Sequence, residues 1–283
     1  MVNDGAGPRW RHWREHVTFQ LDGKIAVISG GSRGIGLATG RLLVGHGASV
    51  AFAGRHDDTV ERAVADLQQA AAAQGHDSRV LGIAVDLTAP GGVETVVERT
   101  LATFGGADIL VNGVGDSSYG PFTEITDEMV VSSWTIKVLT ALRLTRAIVP
   151  IMERRGGGAI VNISGGAGRD PQPGGVPAAI ANAGLRVFSK GGASDLARRG
   201  IAMNTISLGV VATDRHLARA RAAATRTGKS VEEVLQEWDR ETPTGRVTAP
   251  EEVAELIVFL ASRRVLNLVG AEIVLDGGSG HGL

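Results

Sequence analysis

The sequence predicts an α/β fold in which a doubly wound parallel sheet of seven strands is covered by helices on both faces. Three observations carry that expectation. Short apolar runs alternate with longer segments of helical period along most of the chain, the pattern of strands buried between helical layers. A glycine-rich turn, "SGGSRGIG" at 29–36, follows the first apolar run and opens a helical segment. No internal repeat or linker-like stretch divides the remainder, so 21–283 reads as one domain behind a polar extension at 1–20. A chain of 283 residues is long enough for one α/β core.

The seven strands are expected at "KIAVIS" (24–29), "SVAFAG" (49–54), "RVLGIAV" (79–85), "DILVN" (108–112), "AIVNIS" (159–164), "IAMNTIS" (201–207) and "EIVLDG" (272–277). Helices fill the gaps. The clearest are a helix over 127–152 and another over 250–262, each opening on acidic residues that suit the positive end of a helix dipole. "AAAAQG" (70–75) reads as a helix end closed by glycine. Between strands six and seven, 214–246 carries two polar helix-forming stretches, with Ser230 and Glu233 spaced as a capping box for the second. Two readings stand for that insertion: a surface helical hairpin, or a substrate lid, since it leaves the strand end where such sheets bind ligands.

Composition narrows the function. Lys and Arg number 29 against 30 Asp and Glu, a net charge of -1 that gives no electrostatic reason to expect nucleic acid or an anionic membrane as partner. The chain has no cysteine, which excludes disulfides and thiolate chemistry. No apolar run reaches the roughly 18 residues of a membrane span, and the first residues contain no apolar signal-peptide segment. A small-molecule role in a soluble, cytoplasmic protein is the expectation. The histidines at 12, 16, 46, 56, 76, 216 and 281 show no ligand spacing on one helix face except His12 and His16, read as an exposed pair, so no metal is expected.

In the glycine turn, Gly30, Gly34 and Gly36 are spaced GxxxGxG. Glycines there let the backbone around Ser32, Arg33 and Ile35 approach a pyrophosphate, which the free N–H groups of a helix start then hold. The second strand ends on Gly54, where an enzyme reading the ribose hydroxyls of NAD places a carboxylate. Arg55 follows instead. Either Arg33 and Arg55 clamp a 2′-phosphate, which selects NADP, or they are solvated surface charges.

Together with later motifs, these residues resemble the classical short-chain dehydrogenase/reductase family from about Leu21 to Gly278. "VDLT" (85–88) is similar to the family stretch whose aspartate contacts adenine, here Asp86 with Leu87 beside it. "DILVNGVG" (108–115) resembles its "NNAG" motif, with Asn112 retained and Gly113 and Val114 for Asn and Ala. "NISGGAG" (162–168) resembles the strand carrying the active-site serine, at Ser164. "NTISLGVVAT" (204–213) resembles the "PG" motif, with Leu208 for proline and Thr213 in the place that holds the nicotinamide amide. "TGRVTAPEEVAELIVFLAS" and "LDGG" complete the likeness. It implies a Rossmann-type fold, a nicotinamide cofactor, and a homo-tetramer or homo-dimer joined through the long helices that carry positions 137 and 182.

The departures are as specific. The family's YxxxK places its tyrosine at Ala178 and its lysine at Asn182. There the tyrosine protonates the carbonyl oxygen and the lysine binds the nicotinamide ribose and lowers the tyrosine's pKa. A family asparagine on the preceding long helix corresponds to Lys137, which falls in the apolar stripe Val130, Trp134, Ala141, Leu144 and Ile148. Either Lys137 snorkels to a boundary, or it and Asn182 exchange cation and amide between neighbouring helices and keep a positive charge by the ribose. Tyr119, the one tyrosine, lies on the loop 115–121 as packing, rim or acid. Asp116, Arg169, Asp170 and His216 are placed on loops facing the same edge.

The reading that follows is an NADP(H)-dependent oxidoreductase acting on a carbonyl or alcohol small molecule. Lys137, Ser164 and Asn182 stand in place of the family's Asn-Ser-Tyr-Lys. Ser164 polarises the carbonyl, Lys137 supplies charge, and water or a loop residue such as Tyr119 completes proton transfer. The alternatives are a cyclase, dehydratase or isomerase on the same fold, or a cofactor-binding protein without turnover.

Overall fold

The computed structural model describes residues 19, 21–116 and 118–280. The polar extension (save Phe19), the His12–His16 pair and His281 lie outside the described residues.

All seven expected strands form: β1 Ile25–Ser29, β2 Ser49–Gly54, β3 Val80–Ala84, β4 Ile109–Asn112, β5 Gly158–Gly165, β6 Ile201–Leu208 and β7 Glu272–Leu275. Every pairing is parallel, in the order β3-β2-β1-β4-β5-β6-β7. The helices are α1 Gly34–Gly45, α2 Asp57–Ala73, α3 Gly92–Phe104, α4 Asp127–Trp134, α5 Thr140–Arg154, α6 Val176–Arg198, α7 Asp214–Thr227, α8 Val231–Glu241 and α9 Pro250–Ala261.

Successive strand residues point to opposite faces, and each face has its own core. Ala26, Ile28, Val50 and Phe52 pack with Leu43 of α1, Leu67 of α2 and Ile257 of α9. Val27, Leu110 and Ile160 pack on the other face with Val96 of α3, Leu144 and Ile148 of α5 and Leu196 of α6. β1 pairs with both β2 and β4, so the chain reverses its winding there and the loops after β1 and β4 diverge. Ligands of such sheets bind in the crevice this leaves beyond the strand ends.

Residues 70–75 close α2 as expected, with Gly75 at φ +72°. The 214–246 insertion forms α7 and α8, and the Ser230 box is complete: Glu233 N donates to Ser230 Oγ at 3.1 Å and Ser230 N to Glu233 Oε2 at 2.8 Å. His216 departs from its expected place on a loop. It lies in α7, buried, with its ring 5.1 Å from that of Trp238 in α8, and burial lowers its pKa.

The expected helix over 127–152 forms, with a widened turn inside it. Between α4 and α5 the chain makes a π turn, Thr135–Leu139, with Thr140 Oγ1 donating to Thr135 O at 3.1 Å. The widened turn lets Trp134 lie on α6, where a Cβ on Gly184 would sit 2.3 Å from its ring, while Ala141, Leu144 and Ile148 stay in the core. Such turns inside helices concentrate at functional sites. Lys137 is at the centre of this one.

Candidate active site

At the end of β1, the N–H groups of Gly30 and Gly31 both donate to Ala53 O at 3.0 Å, which folds the glycine turn back on β2. The turn closes so tightly that a Cβ on Gly36 would lie 2.1 Å from Gly30 O. Arg33 precedes α1 without capping it, so the first N–H groups of the helix are left for a ligand. A Cβ on Gly34 would sit 3.3 Å from the Thr213 methyl, which brings the start of α7 to the same place.

Ser32 Oγ would be 2.8 Å from a Cβ on Gly54, so Ser32 fills the space above the end of β2, and Arg33 and Arg55 are exposed beside it. Thr88 donates to the Asp86 carboxylate from its N at 2.8 Å and its Oγ1 at 2.7 Å. Those bonds and the nearby Arg55 guanidinium hold Asp86 below the usual carboxylate range. Leu87 is buried next to it. Gly113 N donates to Ser29 Oγ at 3.0 Å, and buried Asn112 donates to Asn162 Oδ1 at 2.7 Å, tying β4 to β1 and β5. A glycine cradle that admits no Cβ, an uncapped helix start and two exposed arginines fit a dinucleotide phosphate.

Across the sheet, α6 carries Ala178 and Asn182 one turn apart, both buried. Asn182 Nδ2 donates to Ala178 O at 2.9 Å, and Asn182 Oδ1 accepts from Gly165 N at 2.8 Å. Ser164 is buried as well, its Oγ donating to Asn182 O at 3.1 Å. Its hydroxyl therefore faces the seam between β5 and α6, and with Asn182 it braces the strand end. Asn182→Ala is expected to cost about 2 kcal/mol by orphaning the Gly165 N–H. A urea unfolding midpoint unchanged from the parent would exclude that role.

Lys137 reaches the site from the π turn. Its Nζ would be 2.9 Å from a Cβ on Gly115, so it packs on the backbone just beyond β4. It forms no hydrogen bond or ion pair with a described residue, and no hydrogen bond joins it to Asn182. Burial, with repulsion from Arg215, pushes its pKa down to about 8.

The rim is formed by α7 and two loops. Arg215 donates to Gly115 O at 2.7 Å and lies 3.4 Å from Asp116. Tyr119 is half-exposed, its ring against the Gly175 backbone and under the Arg219 guanidinium at 4.7 Å. Arg169 and Arg186 both pair with Glu272 on β7, at 3.2 and 2.7 Å. Sequence reasoning missed Arg215 and Arg219, although their four-residue spacing places them on one helical face. A groove of about 450 Å³ runs beneath α7 and α8, lined by Gly34, Thr213, Asp214, Leu235 and Pro250 among others.

The family described as enoyl-(acyl carrier protein) reductase matches residues 30–280. The chain is 31% identical over 260 residues to the 3-oxoacyl-(acyl-carrier-protein) reductase of Escherichia coli, covering 92% of this chain and 98% of that one. Against the crystal structure of L-sorbose reductase from Gluconobacter frateurii, complexed with NADPH and L-sorbose, the TM-score is 0.89 at 35% identity, covering 94% of this chain and all of that one. A variant of actinorhodin polyketide ketoreductase with NADPH gives a TM-score of 0.85 at 25% identity, covering 94% of this chain and all of that one. With its parallel seven-stranded sheet and glycine turn, the chain belongs to the classical short-chain dehydrogenase/reductase family of oxidoreductases.

Proposed function

We propose that this oxidoreductase uses NADP(H) to interconvert a small-molecule carbonyl and its alcohol, with Lys137 as the group that meets the reacting oxygen. The observation that carries the reading is the Lys137 ammonium, held against Gly115 beyond β4 without a partner among the described residues. Gly30, Gly34 and Gly36, with the N–H groups opening α1, would hold the cofactor's pyrophosphate; Arg33 and Arg55 would hold a 2′-phosphate. The NADPH bound to the sorbose reductase and the actinorhodin ketoreductase supports that choice. Bound NADPH supplies the hydride.

Lys137 polarises the carbonyl oxygen, and its ammonium gives that oxygen a proton as negative charge develops there. A pKa of about 8 suits the task, because a proton donor works best near the operating pH. The neutral amine then recovers a proton from solvent at the rim. Ser164 and Asn182 hold the end of β5 on α6, and the charge that the family pattern puts on α6 is carried by Lys137 instead. α7 and α8 act as a lid over the groove beneath them. Val131, Ile180 and Val187 expose apolar side chains on α4 and α6, which supports a homo-oligomer joined through these helices.

The test is a panel of ketones with NADPH deuterated at the transferable position. Label in the product supports hydride transfer. Conversion without label favours a cyclase or isomerase, and bound cofactor without turnover favours a binding protein. Calorimetry is expected to show tighter binding of NADPH than of NADH, with Arg33→Gln and Arg55→Gln each costing about 1–3 kcal/mol against NADPH alone. Equal affinities for the two cofactors would remove the arginines from the site.

A further inference from the structure

We propose that the substrate carries an anionic oxygen group, a carboxylate or a phosphate, that Arg215 and Arg219 hold at the rim while its carbonyl faces Lys137. The proposal rests on the oxidoreductase reading for where the carbonyl reacts, but not for where the anion binds.

Two cations converge on one glycine. Lys137 Nζ packs against Gly115, and Arg215 donates to the carbonyl of the same residue at 2.7 Å. Arg219 stands one turn further along α7, over Tyr119 at 4.7 Å. Asp116, 3.4 Å from Arg215, offsets one of these three charges. Lys137 and Arg215, like charges held on one glycine, cost free energy where Lys137 is desolvated, and the arrangement relaxes when an anion sits beside them.

The position of each cation suggests what it meets. The Arg215 side chain is 55% exposed, open to a group arriving from solvent. Lys137 lies deeper, beside the backbone that leaves β4. Guanidinium groups offer paired donors that match the two oxygens of a carboxylate or phosphate. An anion at the two arginines also favours the charged form of Lys137, the form that donates a proton. A neutral ketone would leave the repulsion between Lys137 and Arg215 in place.

The full chain is titrated calorimetrically with levulinate, its methyl ester and dihydroxyacetone phosphate, each with bound NADPH and without it. At least one anion is expected to bind about tenfold more tightly than methyl levulinate, the effect of a charge-assisted hydrogen bond. Preference for levulinate identifies a carboxylate, and preference for the phosphate ester identifies a phosphate. The double variant Arg215→Gln, Arg219→Gln should lose this preference while binding methyl levulinate as the parent does. Equal binding of anions and ester, a double variant that weakens all three alike, or no binding by any of them overturns the proposal. Binding is read without turnover, so anion preference without hydride transfer removes only the redox reading. Deuteride transfer to neutral ketones without anion preference removes only this one.

Discussion

Lys137→Met is expected to lower turnover about 100-fold or more, the effect of removing a proton donor and charge stabiliser from a transition state, while the chain stays folded. Methionine keeps most of the apolar stem, so packing against the π turn survives and the charge alone is lost. Stability should move the other way. The folded pKa of Lys137, about 8, is below its ordinary 10.5. Below pH 8 both folded and unfolded chains hold the proton, and the full penalty of the desolvated charge is present. Between 8 and 10.5 the unfolded chain binds more protons, so stability rises with pH. Lys137→Met should therefore be more stable than the parent at neutral pH, by up to about 3 kcal/mol, and should lack that rise. For the parent, kcat/KM for carbonyl reduction should fall above pH 8 and that for alcohol oxidation should rise. Urea unfolding and pH profiles measure both. A variant with parental turnover would take Lys137 out of the reaction.

Gly36→Ala is expected to weaken NADPH binding by about 100-fold, equivalent to about 2.7 kcal/mol. The added Cβ would lie 2.1 Å from Gly30 O and 2.9 Å from Gly31 Cα, and both contacts are backbone, so no side chain can rotate aside. The glycine turn has to open, which moves the N–H groups away from where phosphate oxygens would sit and costs about 1–3 kcal/mol of folding stability. Gly45→Ala, at the other end of α1, is the control: its Cβ would meet only Gln74 Cγ, at 3.7 Å. Calorimetry with NADPH and thermal unfolding of the two variants separate a lost cradle from a weakened helix. Parental NADPH affinity in Gly36→Ala would exclude the turn as the phosphate site.

Most of the fold was legible because the strands are short runs of Val, Ile and Ala bounded by turn residues, and each lies within two residues of where the pattern puts it. The glycine turn was legible for a related reason: GxxxGxG between a strand and a helix has few other physical uses. The side of the sheet facing α5 and α6 was harder. Ser164 shares strand parity with Ile160 and Asn162, so period two gives the face it takes, while its burial comes from a strand covered on both faces. The π turn left no comparable trace, since apolar residues continue at helical spacing on both sides of it. His216 was misplaced because its partner, Trp238, lies 22 residues on, in a second helix whose packing no local pattern encodes.

The turn at Thr135–Leu139 also separates two surfaces that a continuous helix would lock together. In a regular helix every side chain is set at a fixed angle to the next, so rotating one contact face rotates them all. One extra residue resets that phase. The Trp134 side can change to suit whatever lies across α4 and α6 without turning Leu144 and Ile148 out of the core, and Lys137, at the joint, belongs to neither half. Shortening the turn by one residue would rejoin the halves and carry the ammonium about 100° around the helix axis. The direction of that single charge is thus encoded by residue count as much as by residue type.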